Sequence, residues 1–325
     1  MRANCVSVVE INAARIRIAD HVRRTFVEPS VSLSERAGQP VHLKLEHQQI
    51  TGSFKLRGAM NAILSLDDAA LVRGIVAVST GNHGRALAYA ARAAGSRATI
   101  CMSELVPQAK IDGIAAEGAD IRIIGKSQDE AQREVDRLVA EGGLTMIPPF
   151  DHRDVIAGQG TLGLELLEDV PDLATVLVQL SGGGLISGVA AAIKARKPEA
   201  RIVGVSMERG AAMYASLVAG RPVEVEELPS LADSLGGGIG LENRLTFSMT
   251  MDLVDDVILL SENEIAEGIR HCYAKERQIV EGAGAVGVAA VLAGKVSAQG
   301  PLALILSGGN IDLAEHQRLV CGGMT

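Results

Sequence analysis

The chain alternates short apolar runs, rich in β-branched residues, with longer amphipathic or alanine-rich segments. The short runs predict strands, and the longer segments predict helices. Alternation of the two along a whole chain is typical of parallel sheets that are covered by helices on both faces. We therefore predict an α/β fold. The predicted strands are 41–46, 74–79, 98–102, 121–124, 144–147, 175–180, 201–206, 257–260 and 302–306, and the predicted helices are 53–65, 82–94, 107–117, 127–141, 185–196, 262–275 and 283–292.

Cap and turn residues divide this pattern. Ser127, with Glu130 three positions later, predicts a capping box at the start of one helix, and Ser53 predicts the start of another. Two adjacent prolines after strand 144–147 predict a loop and a domain boundary. We therefore expect two doubly wound parallel-sheet domains. The large one is formed by residues 1–73 plus 149–325, and the small one by residues 74–148.

Composition excludes several classes of protein. The 325 residues are 47% hydrophobic, which allows a sizeable core, and the net charge of −8 comes without a basic run, which argues against nucleic-acid binding. The four cysteines form no CxxC pair, no apolar run could span a bilayer, and the N-terminus lacks the features of a secretory signal. His42 and His47 have no partner at metal-ligand spacing. We expect a soluble, cytoplasmic protein with no metal site and no nucleic-acid or membrane partner.

Three glycine-rich turns carry much of the candidate chemistry, because each follows a predicted strand. They are STGNHG at 79–84, SGGGL at 181–185 and SGGN at 307–310. Sheets of this kind bind ligands beyond the carboxyl ends of their strands. Glycines let backbone N–H groups converge on an anion, and a following helix presents its positive end to that anion. The turn at 181–185 therefore favours a phosphate, although a tight strand-to-helix turn without a ligand has the same pattern.

Lys55 lies in the segment TGSFKLRGA, directly after Phe54. Most lysines are solvated surface charges. Desolvation of this one would lower its pKa and free the amine to attack an aldehyde. The lysine, its aromatic neighbour and the glycine-rich turns together indicate Schiff-base chemistry on a phosphorylated aromatic cofactor.

Other polar residues have both an ordinary and a functional interpretation. Asn82 and His83 open a predicted helix, where an asparagine often serves only as a cap. In the functional interpretation, Asn82 hydrogen-bonds a phenolic oxygen and the N–H groups of Thr80 to His83 bind a carboxylate. Ser307 either caps a turn or hydrogen-bonds a ring nitrogen. Glu281 stands at a predicted helix start, where a carboxylate is favourable in any case.

Together these segments resemble the fold type II pyridoxal-phosphate enzymes, which have a tryptophan synthase β-like fold, and within them the serine/threonine dehydratase and serine racemase branch. The resemblance extends from about residue 15 to residue 312. Its details are most similar to the dehydratases of ectoine and hydroxyectoine utilisation. The family resemblance is carried by GSFKLRGA (52–59), STGNHGRALAYAA (79–91), VIAGQGTLGLELL (155–167), SGGGLISG (181–188) and LSGGNIDL (306–313). The similarity to the ectoine and hydroxyectoine dehydratases is carried by STGNHGR (79–85), PFDHRDVIAGQGT (149–161), GVSMERGAAM (204–213) and LADSLGGGIGL (231–241).

The resemblance implies a role for each candidate residue. The cofactor would be pyridoxal 5'-phosphate, bound covalently by Lys55. Phe54 would pack on the pyridine ring, Asn82 would meet its 3′-oxygen, and Ser307 would face its nitrogen. Glu281 would lie near the cofactor. The phosphate would bind Gly182, Gly183, Gly184 and Leu185, and the substrate carboxylate would bind Ser53, Ser79, Thr80, Gly81 and His83.

The implied reaction is β-elimination from a β-hydroxy-α-amino acid, such as threonine, serine or an amino acid derived from hydroxyectoine. The products would be a 2-oxo acid and ammonia, and the family expectation is a homodimer. Thr80 stands where the racemases carry a catalytic serine, so an amino-acid racemase is the first alternative. A ligand-binding homologue without catalysis and a β-replacement enzyme are the others. Ser206 and Ala212 replace the carboxylates of the family's cation loop, so we expect the cation site to be altered or absent, with Glu208 as the alternative carboxylate.

Overall fold

The computed structural model describes residues 5–322, and each predicted strand is found within one or two residues of its predicted position. The strands, in chain order, are β1 (Val27–Pro29), β2 (Val41–Lys44), β3 (Ile75–Val78), β4 (Ala98–Met102), β5 (Asp120–Ile123), β6 (Thr145–Met146), β7 (Thr175–Gln179), β8 (Arg201–Met207), β9 (Asp256–Leu260) and β10 (Leu302–Ile305). The α-helices are α1 (Val8–Ile18), α2 (Val31–Ala37), α3 (Lys55–Leu64), α4 (Asp68–Arg73), α5 (Asn82–Ala93), α6 (Gln108–Ala115), α7 (Gln128–Gly142), α8 (Arg153–Asp169), α9 (Gly184–Lys194), α10 (Ala212–Ala219), α11 (Thr246–Leu253), α12 (Glu262–Ala274), α13 (Gly282–Leu292) and α14 (Leu313–Cys321).

The larger sheet has six strands in the order β1-β2-β10-β7-β8-β9. Only β1 runs antiparallel to its neighbour, and the other pairs are parallel. Because the last strand of the chain, β10, returns between β2 and β7, the order of strands reverses at that point. Doubly wound sheets bind their ligands at such a reversal.

The smaller sheet has four parallel strands in the order β5-β4-β3-β6. All four lie between residues 75 and 146, inside the segment that the sequence analysis assigned to the small domain. The domain bounds themselves remain a prediction.

Both faces of the larger sheet are covered, as the alternating pattern predicts. Leu177 of β7 packs in a core with residues of α12 and α13. Its neighbours Val176 and Val178 point to the opposite face, where they pack with residues of α8 and α9. The α/β fold class is therefore confirmed. No helix within residues 5–322 combines the length and apolar character needed to cross a membrane.

Of the two predicted helix starts at Ser127 and Ser53, one is confirmed and the other is wrong. Ser127 and Glu130 do form the predicted capping box at the start of α7. The prediction that Ser53 begins a helix is wrong, because α3 begins at Lys55 without any side-chain cap. The chain before α3 is instead held against the turn after β10, where Ser53 pairs with Gly308 and the N–H of Phe54 donates to the carbonyl of Ser307 at 3.0 Å.

A buried ion network joins β2, α3 and α8 beneath Lys55. The Arg57 guanidinium donates to Glu46 at 2.8 Å and to Glu165 at 2.7 Å, and Lys44 Nζ donates to Glu165 at 2.6 Å. Arg57, Lys44 and Glu46 have no exposed surface. Since buried charges are tolerated only when they are paired, the network fixes how these three elements meet.

Candidate active site

A cleft of about 470 Å³ lies beyond the carboxyl ends of β3, β7 and β10. The three glycine-rich turns follow these strands and do converge there. Ser53 is the one predicted site residue that does not line the cleft: it is fully buried, and its Oγ has no hydrogen-bond partner among residues 5–322. The predicted site residues that do line the cleft are Phe54, Lys55, Ser79, Thr80, Gly81, Asn82, His83, Gly182, Gly183, Gly184, Leu185, Glu281 and Ser307.

Lys55 is the first residue of α3 and is partly buried at the base of the cleft. Its Nζ donates to the carbonyl of Pro149 at 2.8 Å and lies 5.3 Å from the centre of the Phe54 ring. Burial lowers the pKa of Lys55 to about 8, although the nearby Glu281 carboxylate opposes this effect. The amine is therefore partly neutral close to neutral pH, as a nucleophile or a proton acceptor must be.

The turn between β7 and α9 forms a cradle of backbone. Gly183 caps α9 with a φ of 87°, a conformation that side-chain-bearing residues rarely adopt. A Cβ on Gly182 would overlap the Phe150 ring, and one on Gly183 would come within 2.8 Å of Met213 Cε. The first N–H groups of a helix have no partner within it. The cradle therefore presents N–H groups at a helix start, with space that only glycines leave open.

A second helix start, that of α5, faces the same cleft. Gly81 occupies the cap position, and Ser79 Oγ accepts from the first-turn N–H of Gly84 at 2.9 Å, so the interpretation of Asn82 as a simple cap is excluded. His83 Nε2 lies 2.8 Å from the carbonyl of Ile147, and because a carbonyl only accepts, the ring proton is on Nε2. Burial, helped by the charge of Lys55, lowers the pKa of His83 to about 3. His83 is therefore neutral, and its own N–H group and that of Asn82 have no side-chain acceptor among residues 5–322.

Asn82 connects the cleft to a buried carboxyl group. Its Nδ2 donates to Glu281 Oε1 at 2.7 Å, and its Oδ1 accepts from Asn310 Nδ2 at 2.6 Å. Glu281 occupies the cap position of α13, and burial raises its pKa to about 7. Asn82 and Glu281 come from segments 199 positions apart, so the chain fixes the orientation of this amide from both sides.

Several residues that line the cleft were not among the predicted site residues. They include Phe150 beside the glycine cradle and Gln179 at the end of β7. Lys110 and Asp233 form an ion pair of 2.7 Å at the mouth, next to a run of glycines at 236–238. The sequence contains two signals that could have identified some of these residues. They are the polar residue that ends the apolar strand TVLVQ and the second run of three glycines.

His47, which has no partner at metal-ligand spacing in the sequence, has an amide as its neighbour in the structure. His47 Nε2 lies 2.8 Å from Gln278 Oε1. In the part of the chain that the structure describes, no group of three or more His, Cys, Asp or Glu side chains is placed to hold a metal ion.

Comparisons with known proteins agree with this geometry. The family described as pyridoxal-phosphate dependent enzyme matches residues 18–308. A protein of Sinorhizobium fredii that is provisionally named a threonine dehydratase is 61% identical over 98% of this chain and 96% of its own length. The L-threonine ammonia-lyase of Thermotoga maritima is 41% identical over 98% of this chain and 79% of its own length. Among solved structures, maize serine racemase superposes with a TM-score of 0.92 at 35% identity, with 98% of each chain covered.

Proposed function

The chain belongs to the pyridoxal-phosphate dependent enzymes, in their threonine dehydratase and serine racemase branch, and on that premise we propose that it eliminates water from a β-hydroxy-α-amino acid such as threonine or serine. The enamine left by the elimination tautomerises to an imine, which water hydrolyses to a 2-oxo acid and ammonia. The observation that carries the proposal is the Lys55 amine, with its pKa lowered to about 8, in a cleft that two helix starts also face.

The residues present fit the cofactor. A phosphate needs converging N–H groups and room close to the backbone, and Gly182 to Leu185 offer both because any Cβ on the first three would collide with its surroundings. We propose that Phe54 packs on the cofactor ring, that Ser307 faces the ring nitrogen and that Asn82 faces the 3′-oxygen. When bound, pyridoxal phosphate supplies an aldehyde that condenses with amines and a conjugated ring that withdraws electrons from the substrate Cα.

The substrate carboxylate then has one suitable place, the start of α5. Ser79 Oγ accepts from the N–H groups of Gly81 and Gly84, while those of Thr80, Asn82 and His83 have no side-chain acceptor among residues 5–322. The neutral imidazole of His83 adds no charge. An anion bound there is stabilised by the helix dipole as well as by hydrogen bonds. This binding orients the substrate so that its Cα proton faces Lys55.

Lys55 is proposed as the group that moves protons. Its neutral amine accepts the Cα proton at Nζ, and the ammonium formed is held by the carbonyl of Pro149, which accepts from Nζ at 2.8 Å. The same ammonium is placed to return a proton to the departing β-hydroxyl, which leaves as water. Burial favours the neutral amine before the step, and the Glu281 carboxylate stabilises the charge after it.

The finer assignment concerns the substrate and the assembly. Opening or derivatising hydroxyectoine gives an α-amino-β-hydroxy acid, the same functional pattern as in threonine. The segments GVSMERGAAM and LADSLGGGIGL resemble the dehydratases of that pathway, and we propose hydroxyectoine-derived amino acids as substrates to be compared with threonine. We also propose a homodimer.

An ammonia-release screen tests the function directly. Threonine, serine, 3-hydroxyaspartate and ring-opened hydroxyectoine derivatives are incubated with the protein, and ammonia and 2-oxo acid are measured. We expect release from at least one of them, and a loss of at least about a thousandfold in Lys55→Ala. Borohydride reduction followed by peptide mapping is expected to place the cofactor on Lys55. An adduct on another side chain, or a Lys55→Ala variant with full activity, would contradict the proposal.

The same screen separates the racemase alternative, which the Thr80 hydroxyl at the cleft motivates. Chiral chromatography would then find the D-enantiomer from L-serine or L-threonine in place of a 2-oxo acid. Thr80→Ala should abolish that exchange, while it leaves an elimination reaction largely intact.

A further inference from the structure

Strands β7 and β10 separate just below the cleft. Their ladder ends at the pair Leu304 and Leu177. Beyond it, β10 continues with β2, since the N–H of Leu306 donates to the carbonyl of Lys44 at 2.9 Å. In the other direction, β7 continues with β8 through a 2.9 Å bond from the N–H of Leu180 to the carbonyl of Val205. The separation opens a crevice at the reversal of strand order.

A single side chain spans this crevice. Gln179, the last residue of β7, is 5% exposed, and its Nε2 donates to the carbonyl of Ile305 on β10 at 2.6 Å. The bond takes the place of the ladder hydrogen bond that the separating backbones no longer make. Because a carbonyl only accepts, the amide nitrogen must face Ile305, which fixes the orientation of the whole amide.

A glutamine that spans the crevice costs stability that an apolar core residue would not. The other atom of the amide, Gln179 Oε1, is buried and has no hydrogen-bond partner among residues 5–322. A buried acceptor without a partner destabilises a protein, and an apolar side chain of similar volume would not carry that cost. A glutamine at this position is therefore better explained by the two strands that its hydrogen bond joins than by the stability that it adds.

The bond connects the two turns that the proposed function assigns to opposite ends of the cofactor. The chain runs from Gln179 directly into the glycine cradle at 182–185, and from Ile305 directly into Ser307. We infer that Gln179 is a positioning residue that ties β7 to β10 and so sets the distance between the phosphate-binding cradle and the side chain facing the ring nitrogen. This inference rests on the proposed placement of the cofactor.

The test measures binding of pyridoxal phosphate and not turnover. In a Lys55→Ala background binding is non-covalent, so dissociation constants follow from cofactor absorbance or fluorescence. Gln179→Met keeps the length and removes the amide. We expect it to weaken the binding of pyridoxal phosphate about 5- to 10-fold, because the displaced Ser307 would lose its one hydrogen bond to the ring nitrogen. Binding of inorganic phosphate, which needs only the cradle, should stay unchanged.

A double-mutant cycle with Ser307→Ala identifies the cause. If Gln179 acts by setting the span to Ser307, its effect should fall to less than about twofold once the Ser307 hydroxyl is absent. Full additivity of the two substitutions, unchanged binding in Gln179→Met, or an equal loss for inorganic phosphate would each overturn the inference.

Gln159 provides a matched control. It is a buried glutamine of α8 whose two amide atoms both lack partners, so Gln159→Met replaces the same side chain without removing a bond. We expect cofactor affinity unchanged in this variant. An equal loss there would show that any buried glutamine has this effect and would also overturn the inference. Because no turnover is measured, a protein that binds cofactor normally yet releases no ammonia would contradict only the proposed function.

Discussion

At the scale of single residues, Lys55 shows how burial changes the protonation of an amine. The same side chain on a surface would be an ammonium ion at physiological pH. Its pKa of about 8 results from desolvation, which disfavours the charged form. Covalent attachment needs the neutral amine, so the rate of cofactor attachment to the full-length apo-protein should rise with pH and level off above about 8. Stopped-flow absorbance over pH 6 to 10 measures this profile.

Glu281 provides the control for that profile. Its carboxylate raises the pKa of Lys55, and with its own pKa of about 7 it is mostly ionised where the lysine titrates. Glu281→Gln should therefore move the inflection to lower pH. A profile that inflects near 10.5, the ordinary value for lysine, would show that the amine is solvated.

The sequence predicts which residues share the cleft where a local motif marks them, and it does not predict features that depend on contacts between distant residues. Lys55, Asn82 and the glycines of the cradle were identified from local segments, and they line one cleft. The hydrogen bond that Gln179 donates across the crevice depends on Ile305, which is 126 positions away. The raised pKa of Glu281 depends on burial. No local pattern contains either of these facts.

At the scale of elements, the cradle illustrates why a turn needs glycine. Gly183→Ala should destabilise the protein by about 1–2 kcal/mol from the left-handed backbone alone, and further because its Cβ would approach Met213 and Thr246. It should also weaken cofactor binding, since the cradle must shift. Gly220→Ala is the matched control: Gly220 has a φ of 68° at the end of α10, with nothing within 4 Å of a Cβ. It should show the backbone cost alone, in urea unfolding, with cofactor affinity unchanged.

The docking of α3 on α8 depends on the buried ion network. Arg57→Met leaves Glu46 and Glu165 with too little positive charge and should lower the free energy of unfolding by about 3–5 kcal/mol. Arg92→Met on α5 removes a surface ion pair of 3.2 Å and should change the free energy of unfolding by no more than about 1 kcal/mol. Urea unfolding of both variants measures the two losses of stability. Equal losses would mean that the buried network stabilises the protein no more than the surface ion pair does.

Element-scale prediction was accurate for strands and incomplete for helices. Every predicted strand exists, because β-branched runs between turns are a local signal. Helix α8 was not predicted, since Gly158, Gly160 and Gly163 lower helix propensity. Their surroundings explain them: a Cβ on Gly158 would collide with the backbone of α3, and one on Gly163 would meet α9 at 2.9 Å. The glycines are there for close helix packing, which only the folded neighbours reveal.

At the scale of the whole molecule, the site exists because distant parts of the chain meet. The sequence pattern predicts strands and their parallel direction. It does not predict that β10 enters between β2 and β7, and this insertion brings Ser307 beside the glycine cradle. Order within a sheet depends on which faces pack best after all helices are placed, so it is a property of the assembled core.

Two buried groups in the cleft give the whole molecule a testable response to pH. His83 has its pKa lowered to about 3 from an ordinary 6.5, so between these values the unfolded chain holds a proton that the folded chain lacks. Glu281 has its pKa raised to about 7 from 4.5, so between those values the folded chain holds a proton that the unfolded chain lacks. From pH 4.5 to 6.5 the two groups therefore change the free energy of unfolding with pH in opposite directions, and these two slopes cancel.

Removing one of these two groups should reveal the pH dependence of stability that the other group causes. In Glu281→Gln only the His83 contribution remains, and the free energy of unfolding, relative to the wild type, should rise with pH across this window by up to about 1.4 kcal/mol per unit. In His83→Asn the Glu281 contribution remains, and the same difference should fall as pH increases. Urea unfolding of the full-length apo-proteins at pH 4.5, 5.5 and 6.5 gives both slopes. Slopes of the same sign, or none in either variant, would mean that these groups titrate as solvated side chains and that the cleft is not the dry environment on which the reactivity of Lys55 depends.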